Sequence, residues 1–274
     1  MSADPLFDLT GRVVLVTGGL GQIGTAFVRA LHARGARVAV GSRSVTATAL
    51  HAAVPGADPD RLLAVPLDIT EAASVSAAVE QIVQHWGGID GLVNNAGLDT
   101  QPGSAPEVSG PFEGFPVEVF REVVEVNLVG TFLVTQAVGA AMRERDGGSI
   151  VNVGSIYGMV SPVQDLYTYA EEETGVPFIK PVAYSAAKSG VYNLTRYCAT
   201  YWGRHGIRVN TLTPSGVRRE TQHPTFQERY TGRIPIGRMA EADEFDAALV
   251  FLLADGSRYM TGANLVVDGG WTAW

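Results

Sequence analysis

Val13-Val14-Leu15-Val16-Thr17-Gly18-Gly19-Leu20-Gly21-Gln22-Ile23-Gly24 decides how the rest of the chain is read. The β-branched run Val13–Val16 predicts a strand, and the apolar spacing from Ile23 to Arg34 predicts a helix. Between them lies only a glycine-rich turn. Glycine is needed where the chain reverses tightly, where backbone amides approach a pyrophosphate, and where a helix packs closely on a strand. The helix N-terminus adds positive potential at the same place. The succession of strand, turn and helix therefore predicts a first βα unit that holds a dinucleotide through Gly18, Gly21, Gln22, Ile23 and Gly24.

Working outward, short apolar runs recur at Val38–Val40, Leu62–Val65, Leu92–Val93, Ile150–Val153, Ile207–Leu212 and Leu265–Val267. Helical patterns lie between them, at Val45–Ala53, Glu71–Trp86, Val117–Arg145, Tyr184–Arg204 and Ala242–Ala254. Such lengths suit right-handed crossovers between parallel strands. The expectation is an α/β fold: one Rossmann-like, doubly wound domain over residues 1–274, with about seven parallel strands flanked by helices. Two connections, Leu98–Pro116 and Ile156–Ala183, are longer than plain βα loops and read as active-site insertions. The segment Arg218–Ile236 reads as a substrate lid.

Composition narrows the function classes. A chain of 274 residues, 46% hydrophobic, suffices for one sizeable core. Its formal charge of −8, with no basic patch, argues against a nucleic-acid partner. Cys198 is the only cysteine, which excludes an intrachain disulfide and fits the cytoplasm. The five histidines show no metal-site spacing, so no metal is expected. The opening residues lack a basic and an apolar signal region, and no run of about 18 apolar residues suggests a membrane span.

Further marks occur in order: Asp68 and Ile69 after the third strand, Asn94-Asn95-Ala96-Gly97 after the fourth, Asn127, and Ser155 after the fifth. Tyr184-Ser185-Ala186-Ala187-Lys188 and Pro214-Ser215-Gly216-Val217 complete them. On these residues the chain resembles the classical-type short-chain dehydrogenases/reductases from about Leu9 to its end. The glycine turn departs from the classical pattern, because Gln22 stands at the middle glycine and Gly21 precedes it. That spacing is similar to extended members such as sugar-nucleotide epimerases, yet the chain stops at Trp274, soon after the last strand, as classical members do.

Tyr184 and Lys188 share one helix face at a spacing of four, where an ammonium would lower the pKa of a phenol and suit it to exchange a proton with a substrate oxygen. The resemblance implies more: Lys188 binds the nicotinamide ribose, Ser155 bonds the reacting oxygen, and Asn127 holds a water that relays protons. The gap from Ser155 to Tyr184, 29 residues, exceeds the family's usual dozen or so, which places an insertion at Tyr157–Pro181. Within it Tyr167, Tyr169, Glu171, Glu172, Glu173 and Lys180 are candidate substrate contacts, against a solvated acidic face for the Glu run.

Ser42 stands where NAD-preferring members carry an acid, and Arg43 follows, so NADP is expected ahead of NAD. Asp68 would accept from the adenine amino group. Asn95, Ala96, Gly97, Pro214, Gly216 and Val217 would line the dinucleotide. Cys198 reads as packing, among the aromatic residues of a helix that family members pair in a homodimer or homotetramer. Trp271 and Trp274 would cap a neighbour's pocket. The run Ser155–Gly158, the insertion and the ending Gly270–Trp274 resemble a branch associated with carbohydrate conversion, so the small-molecule substrate is expected to be sugar-like. Three activities stay open: an NAD(P)-dependent alcohol dehydrogenase or ketone reductase, a sugar-nucleotide epimerase or dehydratase, and a non-catalytic dinucleotide sensor.

Overall fold

The computed structural model describes residues 4–100, 104–105, 108–145 and 147–274. Residues 101–103 and 106–107 of the expected insertion 98–116, and residues 1–3 of the opening segment, lie outside the described residues. The chain runs β1 (Val13–Thr17), α1 (Gln22–Ala33), β2 (Arg37–Ser42), α2 (Ala47–Ala53), β3 (Leu62–Pro66), α3 (Ala72–Trp86) and β4 (Gly91–Asn94). It continues with α4 (Val117–Val124), a π-helical turn Glu125–Gly130, α5 (Thr131–Arg143), β5 (Gly148–Val153), α6 (Ile156–Met159), α7 (Tyr169–Thr174) and α8 (Val182–Trp202). The last elements are β6 (Ile207–Pro214), α9 (Pro224–Thr231), α10 (Asp246–Leu253) and β7 (Asn264–Val267).

Among the described residues the strands form one seven-stranded sheet in the order β3-β2-β1-β4-β5-β6-β7, every pairing parallel. Parallel strands covered by helices on both faces are apolar throughout, and β1 is buried at all five positions. One core lies beneath Phe27, Val28 and Leu31 of α1 and Leu249, Val250 and Leu252 of α10. On the opposite face a second core takes Val75 and Ile82 of α3, Val134, Val138 and Met142 of α5, and Trp202 of α8. The strand order reverses between β1 and β4, and ligands of such sheets bind where that split opens a crevice at the strand C-termini.

The expected helices change in two places. The pattern Val117–Arg145 is one continuous helix to Arg143, but it passes through the π turn that carries Asn127. Its length and hydropathy would suffice to cross a bilayer; here its apolar stripe is the second core's cover. The pattern Ala242–Ala254 begins as a 3-10 turn, Ala242–Phe245, stapled by the reciprocal capping bonds of Glu241 and Glu244, so α10 starts at Asp246.

Long connections at the strand ends form a third cluster. Tyr157, Leu166, Tyr167, Tyr169 and Phe178 of the stretch 156–183 pack against Phe226, Tyr230 and Ile234 of the stretch 218–236, with Met239 and Trp271. Trp271 thereby stacks on its own chain's Tyr230, with centroids 4.3 Å apart. It does not extend toward a neighbour as expected, because the Tyr230 face buries it locally; Trp274 is exposed.

The glycine turn tolerates little change. Gly18 takes a left-handed φ of +63°, and a Cβ on Gly24 would fall on the Gly18 carbonyl oxygen. Ala raises helix propensity by about 1 kcal/mol over Gly, but backbone cannot yield as a side-chain tip can. Gly24→Ala is expected to lower unfolding free energy by about 1–3 kcal/mol in urea titration. An unchanged midpoint would show that the turn is looser than its geometry.

Candidate active site

The reversal point is held open by a small set of hydrogen bonds. Thr17 Oγ1, at the end of β1, accepts from the backbone N–H of Asn95 (3.0 Å) and of Ala96 (3.1 Å). Asn95 Nδ2 donates back to the carbonyls of Thr17 (3.1 Å) and Gly18 (3.0 Å). These bonds tie the ends of β1 and β4 and present the glycine turn to a cleft. Gly18, Gly21, Gln22, Ile23, Gly24, Ser42, Arg43, Asp68, Ile69, Asn95, Ala96 and Gly97 all line that cleft. Asp68 accepts from the Thr70 hydroxyl (2.7 Å) and N–H (3.0 Å), and these bonds, with the nearby Arg43 cation, hold its carboxyl below the usual range.

Gln22, the departure in the turn, has a local use. Its Nε2 donates to the Arg218 carbonyl (2.7 Å), and its Oε1 accepts from Arg219 Nε (2.6 Å). Arg219 borders both the dinucleotide cleft and a second cavity beside it. Sequence reasoning did not single out Arg219, since its partner lies 197 positions away.

The second cavity gathers Ser155, Tyr184 and Lys188 with Pro214, Gly216 and Val217. Ser155 follows β5 by two residues, and its Oγ accepts from the Tyr157 N–H (3.2 Å), capping α6. Tyr184, in the first turn of α8, lines the same cavity, near enough to the Ser155 hydroxyl for that group to favour its phenolate. One turn on, Lys188 Nζ donates to the Val153 carbonyl (2.8 Å) and stands 6.0 Å from the Tyr184 ring centre. A further turn along the same face, Tyr192 donates to the Ser155 carbonyl (2.8 Å) and accepts from the Ser155 N–H (3.3 Å). Tyr192 thus orients the serine, a role that its spacing of eight from Tyr184 could have suggested.

Burial sets the electrostatics. It pushes Lys188 down to about 8, with Asp99 acting the other way. It also pushes the Tyr184 phenol above its ordinary value, reinforced by the Asp99 carboxylate and opposed by the nearby Ser155 hydroxyl. The expected lowering of Tyr184 by Lys188 is therefore not met. Removing a phenolate from water costs more than an ammonium beyond hydrogen-bonding distance returns.

Asn127 lies behind the cavity, fully buried in the π turn. Its Oδ1 accepts from the Leu98 N–H (2.7 Å) and its Nδ2 donates to the Leu98 carbonyl (2.8 Å), so its side chain fixes the strand-β4 loop. Of the insertion, Tyr157, Tyr167 and Lys180 line the cavity. Tyr169 instead stacks on His223 at 4.5 Å. Glu171, Glu172 and Glu173 face solvent, where Glu172 pairs with Arg229 and Glu173 lies 3.1 Å from His223. Among the described residues no cluster of three or more His, Cys, Asp or Glu could hold a metal ion.

Asn127→Ala would leave both Leu98 backbone groups without their partner, and each such loss costs roughly 1–3 kcal/mol. A drop in unfolding free energy of at least that size is expected by urea titration. A change under about 0.5 kcal/mol would show that water replaces the clamp.

Comparison with known proteins agrees along the whole chain. The family model described as short chain dehydrogenase matches residues 12–170, and the one described as Enoyl-(Acyl carrier protein) reductase matches residues 166–272. A D-threitol dehydrogenase of Mycolicibacterium smegmatis is 36% identical over 276 residues, covering 99% of this chain and 97% of its own. A gluconate 5-dehydrogenase of Burkholderia cenocepacia, in complex with NADP and tartrate, superposes with a TM-score of 0.83 at 29% identity, over 98% of each chain. A short chain dehydrogenase of Leptospira borgpetersenii with bound NAD+ gives 0.83 at 30% identity, over 99% of this chain and 97% of its own. Likeness over the full length, in sequence and in fold alike, places the chain in the short-chain dehydrogenase/reductase family as an oxidoreductase acting on CH–OH groups.

Proposed function

We propose that the protein interconverts a polyhydroxylated, sugar-like secondary alcohol and its ketone, with NADP as the preferred dinucleotide and Tyr184 as the acid and base. The observation that carries this reading is the gathering of Ser155, Tyr184 and Lys188 in one cavity whose wall also presents Tyr157, Tyr167, Lys180 and Gln222. A substrate oxygen that joins the Ser155 and Tyr184 hydroxyls meets a donor and an orienting partner at once.

The neighbouring cleft fits a dinucleotide: its glycine turn leaves no room for a Cβ at Gly24, and Arg43 and Asp68 stand at its far end. A bound nicotinamide supplies or accepts the hydride. Lys188, buried beside Tyr184, is the group that would hold the ribose and support the phenol; Asn127 would support the proton relay by fixing the β4 loop. The epimerase alternative drew on the glycine spacing, but Gln22 of that spacing serves here to hold Arg218 and Arg219. A dinucleotide sensor would not require the hydroxyl pair.

The polar-substrate reading rests on Tyr157, Tyr167, Lys180 and Gln222 around the cavity, not on the Glu run. Each buried substrate hydroxyl needs a partner, and these side chains provide them. The D-threitol and gluconate dehydrogenases named above support the same class by likeness. Cleft-lining Arg43 supports NADP, since a guanidinium is a forked donor for a 2′-phosphate. The rings of Tyr197 and Tyr201, exposed and stacked at 6.1 Å on α8, support pairing of that helix in a homodimer or homotetramer. The single buried thiol supports a cytoplasmic setting.

Three measurements follow from this reading. Tyr184→Phe should cut turnover by about 10²–10⁴-fold and change dinucleotide affinity only a few-fold, as read by steady-state rates and by quenching of intrinsic fluorescence. Turnover near the parent rate would remove Tyr184 from the chemistry. Because burial raises the phenol, the protonated form prevails at neutral pH, so kcat/KM for ketone reduction should hold level until pH passes the ordinary tyrosine value of about 10, while that for alcohol oxidation should climb from neutral pH upward. A flat oxidation profile from neutral to alkaline pH would contradict this assignment. Arg43→Ala should weaken kcat/KM with NADPH more than with NADH, by about 1.5–3 kcal/mol; equal losses would show that Arg43 does not read the phosphate.

A further inference from the structure

The chain contains two lysines against eighteen arginines, and both lysines stand at this cavity. Lys188 lies one helical turn after Tyr184. Lys180 lies four residues before it, with Nζ 5.5 Å from the Tyr184 ring centre. Only 5% of the Lys180 side chain is exposed. Its backbone is clamped by Gln164, whose Oε1 accepts from the Lys180 N–H (2.9 Å) and whose Nε2 donates to the Lys180 carbonyl (3.1 Å). The ammonium donates to Asp99 Oδ1 (2.5 Å) and to the Thr100 carbonyl (2.8 Å). Asp99 is one-third exposed and lines the same cavity. Its place is set by Leu98, which Asn127 holds from behind.

An ammonium has three donors, and among the described residues two acceptors take two of them. Keeping a lysine nearly dry is costly unless its proton donors are used, and the open side of this one faces the space shared with Tyr184. Its charge is already balanced by Asp99, so the pair as a whole does not favour an anion. A neutral group that accepts a hydrogen bond completes the ammonium's set, and a hydroxyl does so while keeping its own proton for a neighbouring acceptor.

Resting on the dehydrogenase reading, we propose that Lys180, held by Asp99, is a specificity-determining residue that binds a substrate hydroxyl on the carbon next to the reacting one. The enzyme thereby selects vicinal diols over simple alcohols and over alcohols that carry a carboxylate. The Lys180–Asp99 pair lies on the substrate side of Tyr184, whereas Lys188 lies on the side of Ser155 and Val153.

The test compares kcat/KM for trans-1,2-cyclohexanediol, cyclohexanol and trans-2-hydroxycyclohexanecarboxylate, which share one ring and differ only in the group on the carbon next to the reacting one. Wild type should prefer the diol to cyclohexanol by tenfold or more. Lys180→Met should bring that ratio to within about twofold of unity, whatever the absolute rate. Asp99→Asn frees the ammonium's charge, so it should raise the carboxylate substrate relative to the diol. That shift is a readout that a merely structural role would not move, and it stands if Lys180→Met fails to fold. Folding is checked by the melting temperature and by dinucleotide binding. A diol preference that survives Lys180→Met, or a wild type that favours cyclohexanol or the carboxylate, overturns the proposal. A wild type that oxidises no alcohol with either dinucleotide overturns instead the dehydrogenase reading beneath it.

Discussion

Tyr184, half-buried in the cavity wall, sits between two lysines that are themselves almost fully buried, and the surrounding structure is organised to make that placement tolerable. A buried ammonium without partners costs several kcal/mol, so each lysine here has specific acceptors. The Val153 carbonyl takes Lys188, and Asp99 with the Thr100 carbonyl takes Lys180. Those acceptors lie at the end of β5 and in the loop after β4.

Two positioning devices follow from that constraint. Tyr192, on the face that carries Tyr184 and Lys188, grips the Ser155 backbone, so one helix aligns three members of the group. Asn127 grips Leu98 from the π turn between α4 and α5, and so sets Asp99. The π turn adds a residue to the helical repeat at the place where a side chain must reach across to the β4 loop; such turns recur at functional sites. On the dinucleotide side, Gln22 links the glycine turn to Arg218 and Arg219, joining two clefts that the strand order alone would leave separate.

Much of this was legible in the sequence, and the legible part is local. The strands showed as β-branched runs because both faces of a parallel sheet are buried. Tyr184 and Lys188 were paired because four residues make one helical turn. The insertion before Tyr184 was visible as a long gap, but its fate was not: Glu171–Glu173 turned to solvent while Lys180 turned inward, and no periodicity distinguishes those outcomes. The contacts that were missed span distance in the chain, 81 residues for Lys180 with Asp99 and 197 for Gln22 with Arg219. The direction of the Tyr184 shift was missed for a related reason. Spacing reports the neighbouring charge, whereas burial is a tertiary property, and here burial prevails.

That balance is directly measurable. An ultraviolet difference titration of wild type against Tyr184→Phe, in the protein without dinucleotide, isolates the ionisation of this one phenol from the other eight tyrosines. The expected result is no Tyr184 phenolate below the ordinary tyrosine value of about 10. A phenolate forming near neutral pH in the free protein would contradict the account, because it would mean that the flanking lysines, and not burial, govern the group on which the site is built.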